Sequence, residues 1–223
     1  MTTEHAAEGK SQARAQVRAR RRARTPHEAE SAAAGLQRAV LAYVHRCRAA
    51  DPNLGAVLAF LPFGAEPPLE PALASLCAEG FRVLVPRSRP GRRMEWVRWV
   101  PGTELVPSDV VPMPEPGGPA EEPPANAPVL VPALALGDDG VRLGQGGGFY
   151  DAFLADRPRP LLAAGVVFDD ELGLPGLPAD PWDATLQWAV TPAGVHRFTP
   201  PQAGNPGSED GARPQKSEWR LAE

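Results

Sequence analysis

Lysine is nearly missing from this chain. Of its 23 basic residues only Lys10 and Lys216 are lysines, and the rest are arginines. Cysteine is as scarce, with Cys47 and Cys77 alone. Two isolated cysteines build neither a disulfide framework nor a zinc site, so a reduced, cytoplasmic protein is expected. No apolar run approaches the roughly 20 residues of a membrane span. The opening MTTEHAAEGK has no apolar stretch of the kind a secretory signal needs. Net positive charge is absent too: the formal charge is −4 and the pI about 5.7. The whole molecule is therefore a poor polyanion binder.

What is present fits a globular α/β protein. Hydrophobic residues make up 43% and charged residues 22% of 223 residues, enough for one domain with tails. Proline (28) and glycine (22) are abundant, which points to long loops or loose ends.

Residues 8–24 read as a helix rich in Ala, Arg and Gln, polar almost all round. Thr25-Pro26 breaks it and starts a second helix over 27–50, with Leu36, Val40, Tyr43, Val44 and Cys47 on one face. Residues 55–61 form a buried strand, and 67–79 a helix opened by Pro67-Pro68 and closed by Gly80. Further strands are expected at 81–85, 94–100, 129–136, 161–168 and 186–190, and a short helix from Phe149. Residues 101–127 hold eight prolines and no periodicity, so they read as loop. Residues 199–223 read as a disordered tail. The alternation predicts a three-layer α/β/α domain over 8–198, with a mostly parallel, Rossmann-like sheet. Ligands in such sheets sit at the carboxyl ends of strands, near a topological switch.

The richest loop follows the 129–136 strand: Arg142-Leu143-Gly144-Gln145-Gly146-Gly147-Gly148-Phe149-Tyr150-Asp151. Bare glycines let backbone amides approach a ligand and form an anion nest, and Arg142 adds a planar charge suited to phosphate. No Gly-Lys-Ser/Thr follows, so this is no Walker loop. Phe149 stands where a dinucleotide fingerprint needs its last glycine. An anion-binding loop and a plain flexible turn both remain open on these residues.

The string RLGQGGGFYD resembles the signature of the 5-formyltetrahydrofolate cyclo-ligase family, also called 5,10-methenyltetrahydrofolate synthetases. Three other segments match it in order: Lys10-x-x-x-Arg14, Phe60-Leu61-Pro62 followed by Glu66, and Leu177-Pro178 to Asp183 followed by Trp188-Ala-Val-Thr191-Pro192. The resemblance implies an ATP- and Mg2+-dependent ring closure of 5-formyltetrahydrofolate to 5,10-methenyltetrahydrofolate, with release of ADP and phosphate. It implies that Lys10, Arg14 and the run Arg142 to Tyr150 hold ATP, and that Lys10, Arg142 and Tyr150 act in catalysis. Leu61, Glu66, Gln145, Gly146, Gly147, Gly148 and Phe149 would bind the folate. Asp151 and Asp183 would bind magnesium. The residues alone leave Asp169, Asp170, Glu171 and Asp180 open as the second ligand.

The survival of Lys10 in so lysine-poor a chain fits such a role, because an ammonium and a guanidinium are not interchangeable at phosphate. Without the resemblance, Lys10, Arg14, Arg18, Arg21 and Arg22 read as a solvated basic helix face, and Glu66 as a carboxylate at a helix start. Glu66 is followed by Pro-Pro-Leu, where the family usually has acidic-apolar-acidic-Thr around the Glu. The expected partners are the two small substrates only, with no nucleic acid and no membrane, acting on a monomer. Two other readings stand beside this one: a homologue that binds ATP and folate with altered or lost turnover, and a nucleic-acid binder using the arginines of 14–24.

Overall fold

The computed structural model describes residues 3–157, 162–177 and 184–198. The expected tail at 199–223 lies outside the described residues, as do Asp180, Asp183 and Pro178. Among the described residues, no helix is long and apolar enough to cross a membrane.

Four α-helices are present among the described residues: α1 (Thr3–Ala23), α2 (Pro26–Ala50), α3 (Glu70–Ala78) and α4 (Phe149–Ala155). The break between α1 and α2 is a capping box. The Thr25 hydroxyl accepts the Glu28 amide at 3.2 Å, and the Glu28 carboxylate accepts the Thr25 amide at 2.7 Å. α2 buries Leu36, Val40, Tyr43, Val44 and Cys47, the stripe that the sequence spacing marks. α3 starts three residues later than the sequence suggests, with Pro71 rather than Pro67 or Pro68 in its first turn. The reason is local: Pro68 pushes Pro67 out of helical conformation, so the helix forms only beyond the pair.

The main sheet has eight strands: β1 (Ala56–Leu58), β2 (Arg82–Arg89), β3 (Arg93–Trp99), β4 (Ala120–Glu121), β5 (Val129–Pro132), β6 (Ala163–Val166), β7 (Trp188–Thr191) and β8 (Gly194–Arg197). Their spatial order is β8-β7-β6-β5-β1-β2-β3-β4. The central run from β7 to β2 is parallel throughout, and β8, β3 and β4 join antiparallel at the two edges. Side chains alternate between its faces. Val57 packs with α2 and α3, whereas Ala56 and Leu58 pack on the other face with Leu84, Trp96 and Leu154 of α4. Trp96 and Phe153 meet there with ring centroids 4.9 Å apart. Helices thus cover both faces of a mostly parallel sheet, as expected.

Three segments depart from the sequence reading. The expected strand 129–136 splits after Pro132, which has no amide to extend the ladder. Its second half, Ala135–Gly137, joins Arg142–Leu143 and Leu172–Leu174 in a small separate sheet. The proline-rich 101–127 segment carries three two-residue strands, Leu105–Val106, Glu115–Pro116 and β4. The first two pair with each other, and β4 closes the β3 edge. Finally, Pro192 and Ala193 turn the chain back into β8, a hairpin with no clear alternation to announce it.

The topology fixes where a ligand can sit. From β1 the chain runs outward through β2, β3 and β4, then returns to the other side of β1 as β5. The switch point lies between the carboxyl ends of β1 and β5.

One close approach tests this packing. A Cβ on Gly35 of α2 would stand 2.5 Å from the Pro192 carbonyl oxygen. Gly35→Ala is expected to cost about 1–3 kcal/mol of stability by overpacking. Urea denaturation should show a lowered midpoint, whereas Gly55→Ala, whose Cβ meets nothing nearer than 4.0 Å, should not. Equal midpoints for the two variants would contradict the α2–Pro192 contact.

Candidate active site

A cavity of about 760 Å³ opens at the switch point. One wall is Phe60 to Glu66, the chain leaving β1; another is Pro86, Ser88 and Met94 of the β2–β3 hairpin. The proline-rich strap contributes Val111 to Pro116, and α1 contributes Arg18, Arg21 and Arg22. The glycine loop closes the remaining side with Arg142 and Gly144 to Asp151. Of the residues singled out from sequence, Leu61, Glu66, Arg142, Gly144, Gln145, Gly146, Gly147, Gly148, Phe149, Tyr150 and Asp151 all line this one space. Lys10, Arg14 and Leu143 do not; Leu143 is buried with Val17, Leu134 and Ala135 beneath α1.

The loop is held by arginine side chains bonding both its backbone and its side chains. Arg14 Nε donates to Gly144 O at 2.9 Å, and Arg18 Nη2 donates to Gln145 Oε1 at 2.8 Å. Lys10, one turn before Arg14 on α1, is only 7% exposed. Arg142 is buried; Nη1 donates to Pro132 O at 3.2 Å and Nη2 to Asp151 Oδ1 at 2.7 Å. A Cβ on Gly144 would run into the Arg142 guanidinium, so any side chain there would have to displace it. Gly146 and Gly148 hold φ of 106° and 71°, values that only glycine adopts freely.

Glu66 is not in the first turn of a helix, since α3 begins at Glu70. Its Oε2 accepts the Phe63 amide at 3.1 Å, and its Oε1 accepts Gln145 Nε2 at 3.0 Å. Glu66 and the glycine loop are therefore linked directly across 79 residues of sequence. The Tyr150 hydroxyl is enclosed and has no hydrogen-bond partner among the described residues. Burial, then the nearby Glu66 carboxylate, push its pKa above the usual phenol range, against a smaller opposing pull from Arg142. It stays protonated and able to donate.

For a divalent cation, the donor chemistry at Asp151 fits. Oδ1 accepts Arg142 Nη2 and the Ala184 amide, while Oδ2 makes no hydrogen bond among the described residues. Asp183 lies outside the described residues, but its neighbour Ala184 bonds Asp151 at 3.2 Å. Of the other acidic candidates, the three among the described residues are engaged elsewhere: Asp169 accepts the Ala193 amide, Asp170 pairs with Arg24, and Glu171 pairs with Arg21. Among the described residues, no group of three His, Cys, Asp or Glu side chains converges on a metal site.

The basic face of α1 requires a correction. Arg21 is not solvated: it is 4% exposed and makes a two-pronged pair with the fully buried Glu171, both contacts at 2.8 Å. It also donates to Ala133 O at 2.7 Å. Arg14, Arg18, Arg21 and Arg24 all bond the body of the protein, which leaves little of the 14–24 arginine run to track phosphates along a nucleic acid. Sequence reasoning also missed Glu115. It is 7% exposed, lines the cavity and accepts the Ser88 amide at 2.7 Å. Sitting between Pro114 and Pro116 in an aperiodic stretch, it carries no spacing signal that would have found it.

The model of the 5-formyltetrahydrofolate cyclo-ligase family matches residues 6–192. The 5-formyltetrahydrofolate cyclo-ligase of Mycolicibacterium smegmatis is 38% identical over 143 residues, covering 61% of this chain and 73% of that protein. The Escherichia coli K12 protein of the same name is 30% identical over 158 residues, 62% of this chain and 79% of that one. In fold, the chain is similar to a 5,10-methenyltetrahydrofolate synthetase from Mycoplasma pneumoniae, with TM-score 0.64 at 19% identity over 82% of this chain and 98% of that one. The Aquifex aeolicus synthetase gives TM-score 0.63 at 22% identity, over 93% and 97%.

The chain's two tyrosines offer a test of the site's enclosure. Burial raises the pKa of both Tyr43 and Tyr150. Below about pH 10 both are neutral folded or unfolded, and their contribution to stability is whole. Above that, the unfolded chain ionises first, so stability falls as pH rises toward the folded-state values. Tyrosinate absorbance should therefore stay flat past pH 10 and appear only with unfolding. A folded-state titration centred near 10 would contradict the buried hydroxyls.

Proposed function

This chain belongs to the 5-formyltetrahydrofolate cyclo-ligase family, and from that premise we propose that its cavity closes 5-formyltetrahydrofolate to 5,10-methenyltetrahydrofolate at the expense of ATP. The observation that carries this reading is the meeting of two walls. The Phe60–Glu66 segment and the Arg142–Asp151 loop face one cavity and are tied by the Gln145–Glu66 hydrogen bond.

The chemistry asks for positioning more than for covalent help. The formyl oxygen attacks the γ-phosphorus and ADP leaves, which turns a poor leaving group into phosphate. N10 of the folate then attacks the activated carbon; the C–O bond breaks, phosphate departs, and N10 releases its proton. In this reading the glycine loop accepts the phosphates on its bare backbone, with Lys10 and Arg14 brought in by α1. Arg142, fixed by Pro132 O and Asp151, holds positive charge against the loop. Glu66 faces the pterin end with the lone pairs that Phe63 and Gln145 leave open, beside Leu61 and Phe149. Tyr150, kept neutral, donates its O–H to a substrate oxygen. Magnesium would be held by Asp151 through its unbonded oxygen, with Asp183 as the second carboxylate. Bound there, it would supply charge neutralisation for the transferring phosphoryl group.

Purified protein given MgATP and 5-formyltetrahydrofolate should release phosphate in step with the methenyl product's near-ultraviolet absorbance. Phosphate release that ignores the folate, or none at all, would overturn the assignment. Asp151→Asn is expected to lower the rate by about 10- to 100-fold and raise the magnesium needed for half-maximal rate. An unchanged magnesium curve would remove Asp151 from the metal site.

A further inference from the structure

The cations that touch the glycine loop from α1 and from within it each spend donors on the protein itself. Arg14 bonds Gly144 O, Arg18 bonds Gln145, and Arg142 bonds Pro132 O and Asp151. Arg92 is placed differently. It lies at the tip of the β2–β3 hairpin, and its side chain runs against the loop at Gly148. A Cβ built on Gly148 would be 3.4 Å from its Cδ, Nε and Cζ. Arg92 is exposed and makes no hydrogen bond or ion pair among the described residues.

Its backbone is equally unusual. With φ of 59°, Arg92 is the one non-glycine residue at positive φ among the described residues, directly after Gly91 at 75°. A side chain in that region is strained, and glycine would relieve the strain. Here a strained position carries a large cation that bonds nothing among the described residues and packs at Gly148 against a loop with no side chains at 146 to 148. The tight β2–β3 turn demands that positive φ, and the position carries arginine where glycine would fit it without strain.

We propose that Arg92 is a further phosphate-binding residue of the site, reaching across Gly148 to the terminal phosphates of the bound nucleotide. The proposal rests on the ATP-dependent reading given above. A guanidinium offers parallel N–H donors that match two phosphoryl oxygens, and phosphoryl transfer spreads charge over just such oxygens. Arg92 stands just outside the residues that line the cavity, packed against Gly148, which does line it.

The decisive variant is Arg92→Gly, which removes the cation and the strain together. Its melting temperature should rise by about 2–4 °C. Calorimetry with a non-hydrolysable ATP analogue should show binding weakened at least about tenfold, with the KM for 5-formyltetrahydrofolate within twofold of wild type. Arg92→Lys should keep part of the affinity and none of the thermal gain. Analogue binding equal to wild type in Arg92→Gly would overturn the proposal. So would a rise confined to the KM for the folate, which would assign Arg92 to that substrate's carboxylates. Wild-type protein that does not bind the analogue would overturn the ATP reading itself, and the role of Arg92 with it.

Discussion

The buried pair between Arg21 and Glu171 is the constraint on which the site depends. A polar helix has no apolar stripe strong enough to seat it on a sheet, and among the described residues Val17 is the one apolar side chain that α1 buries. What fixes it is a guanidinium gripping both oxygens of a carboxylate 150 residues away. Glu171 is oriented in turn by the Phe168 amide at 3.0 Å, and Arg21 spends a further donor on Ala133 O, just past the end of β5. Arg24 stacks on Phe168, 3.9 Å from its ring centroid. A buried charge pair of this kind adds little to stability relative to an apolar pair, but breaking it from one side costs about 3–5 kcal/mol. Its worth is geometric. It sets the angle and register at which α1 crosses the carboxyl end of the sheet.

From that register the rest follows. Arg18 and Arg14 lie one and two turns from the anchor and meet Gln145 and Gly144, so the glycine loop takes its shape from α1 as well as from its own sequence. Gln145 passes the constraint on to Glu66, and Arg142 passes it to Asp151 and to the chain at Ala184. α1, the Phe60–Glu66 segment and the glycine loop thus reach one cavity through a short series of polar contacts. A site that works by positioning needs such over-determination, because misplacement of about 1 Å can cost two orders of magnitude in rate.

Much of this was legible in the sequence where the signal is local. The capping box at Thr25, the buried stripe of α2 and the glycine run each depend on residues within a few positions of one another. The order of strands and helices gave the parallel sheet and its switch point. The Arg21–Glu171 pair was illegible because its partners are far apart in sequence and each looks like an ordinary surface charge. Glu115 and the proline-rich strap were illegible because proline removes the periodicity by which elements are read, although the strap forms a wall of the cavity. Pro132 likewise ended a strand that apolar content alone would have continued. Family resemblance supplied what physics could not: which of many arginines and carboxylates to group into one site.

The clamp's role is open to direct measurement by a double-mutant cycle on Arg21 and Glu171, each changed to Met alone and together. Binding of a non-hydrolysable ATP analogue is read by calorimetry beside the urea midpoint. If the pair seats α1 for the nucleotide, each single change weakens analogue binding on the order of tenfold or more and lowers stability. The double change, with no charge left buried and unpaired, recovers most of both. Single variants that bind the analogue as tightly as wild type would contradict the claim that α1, through this pair, builds the site.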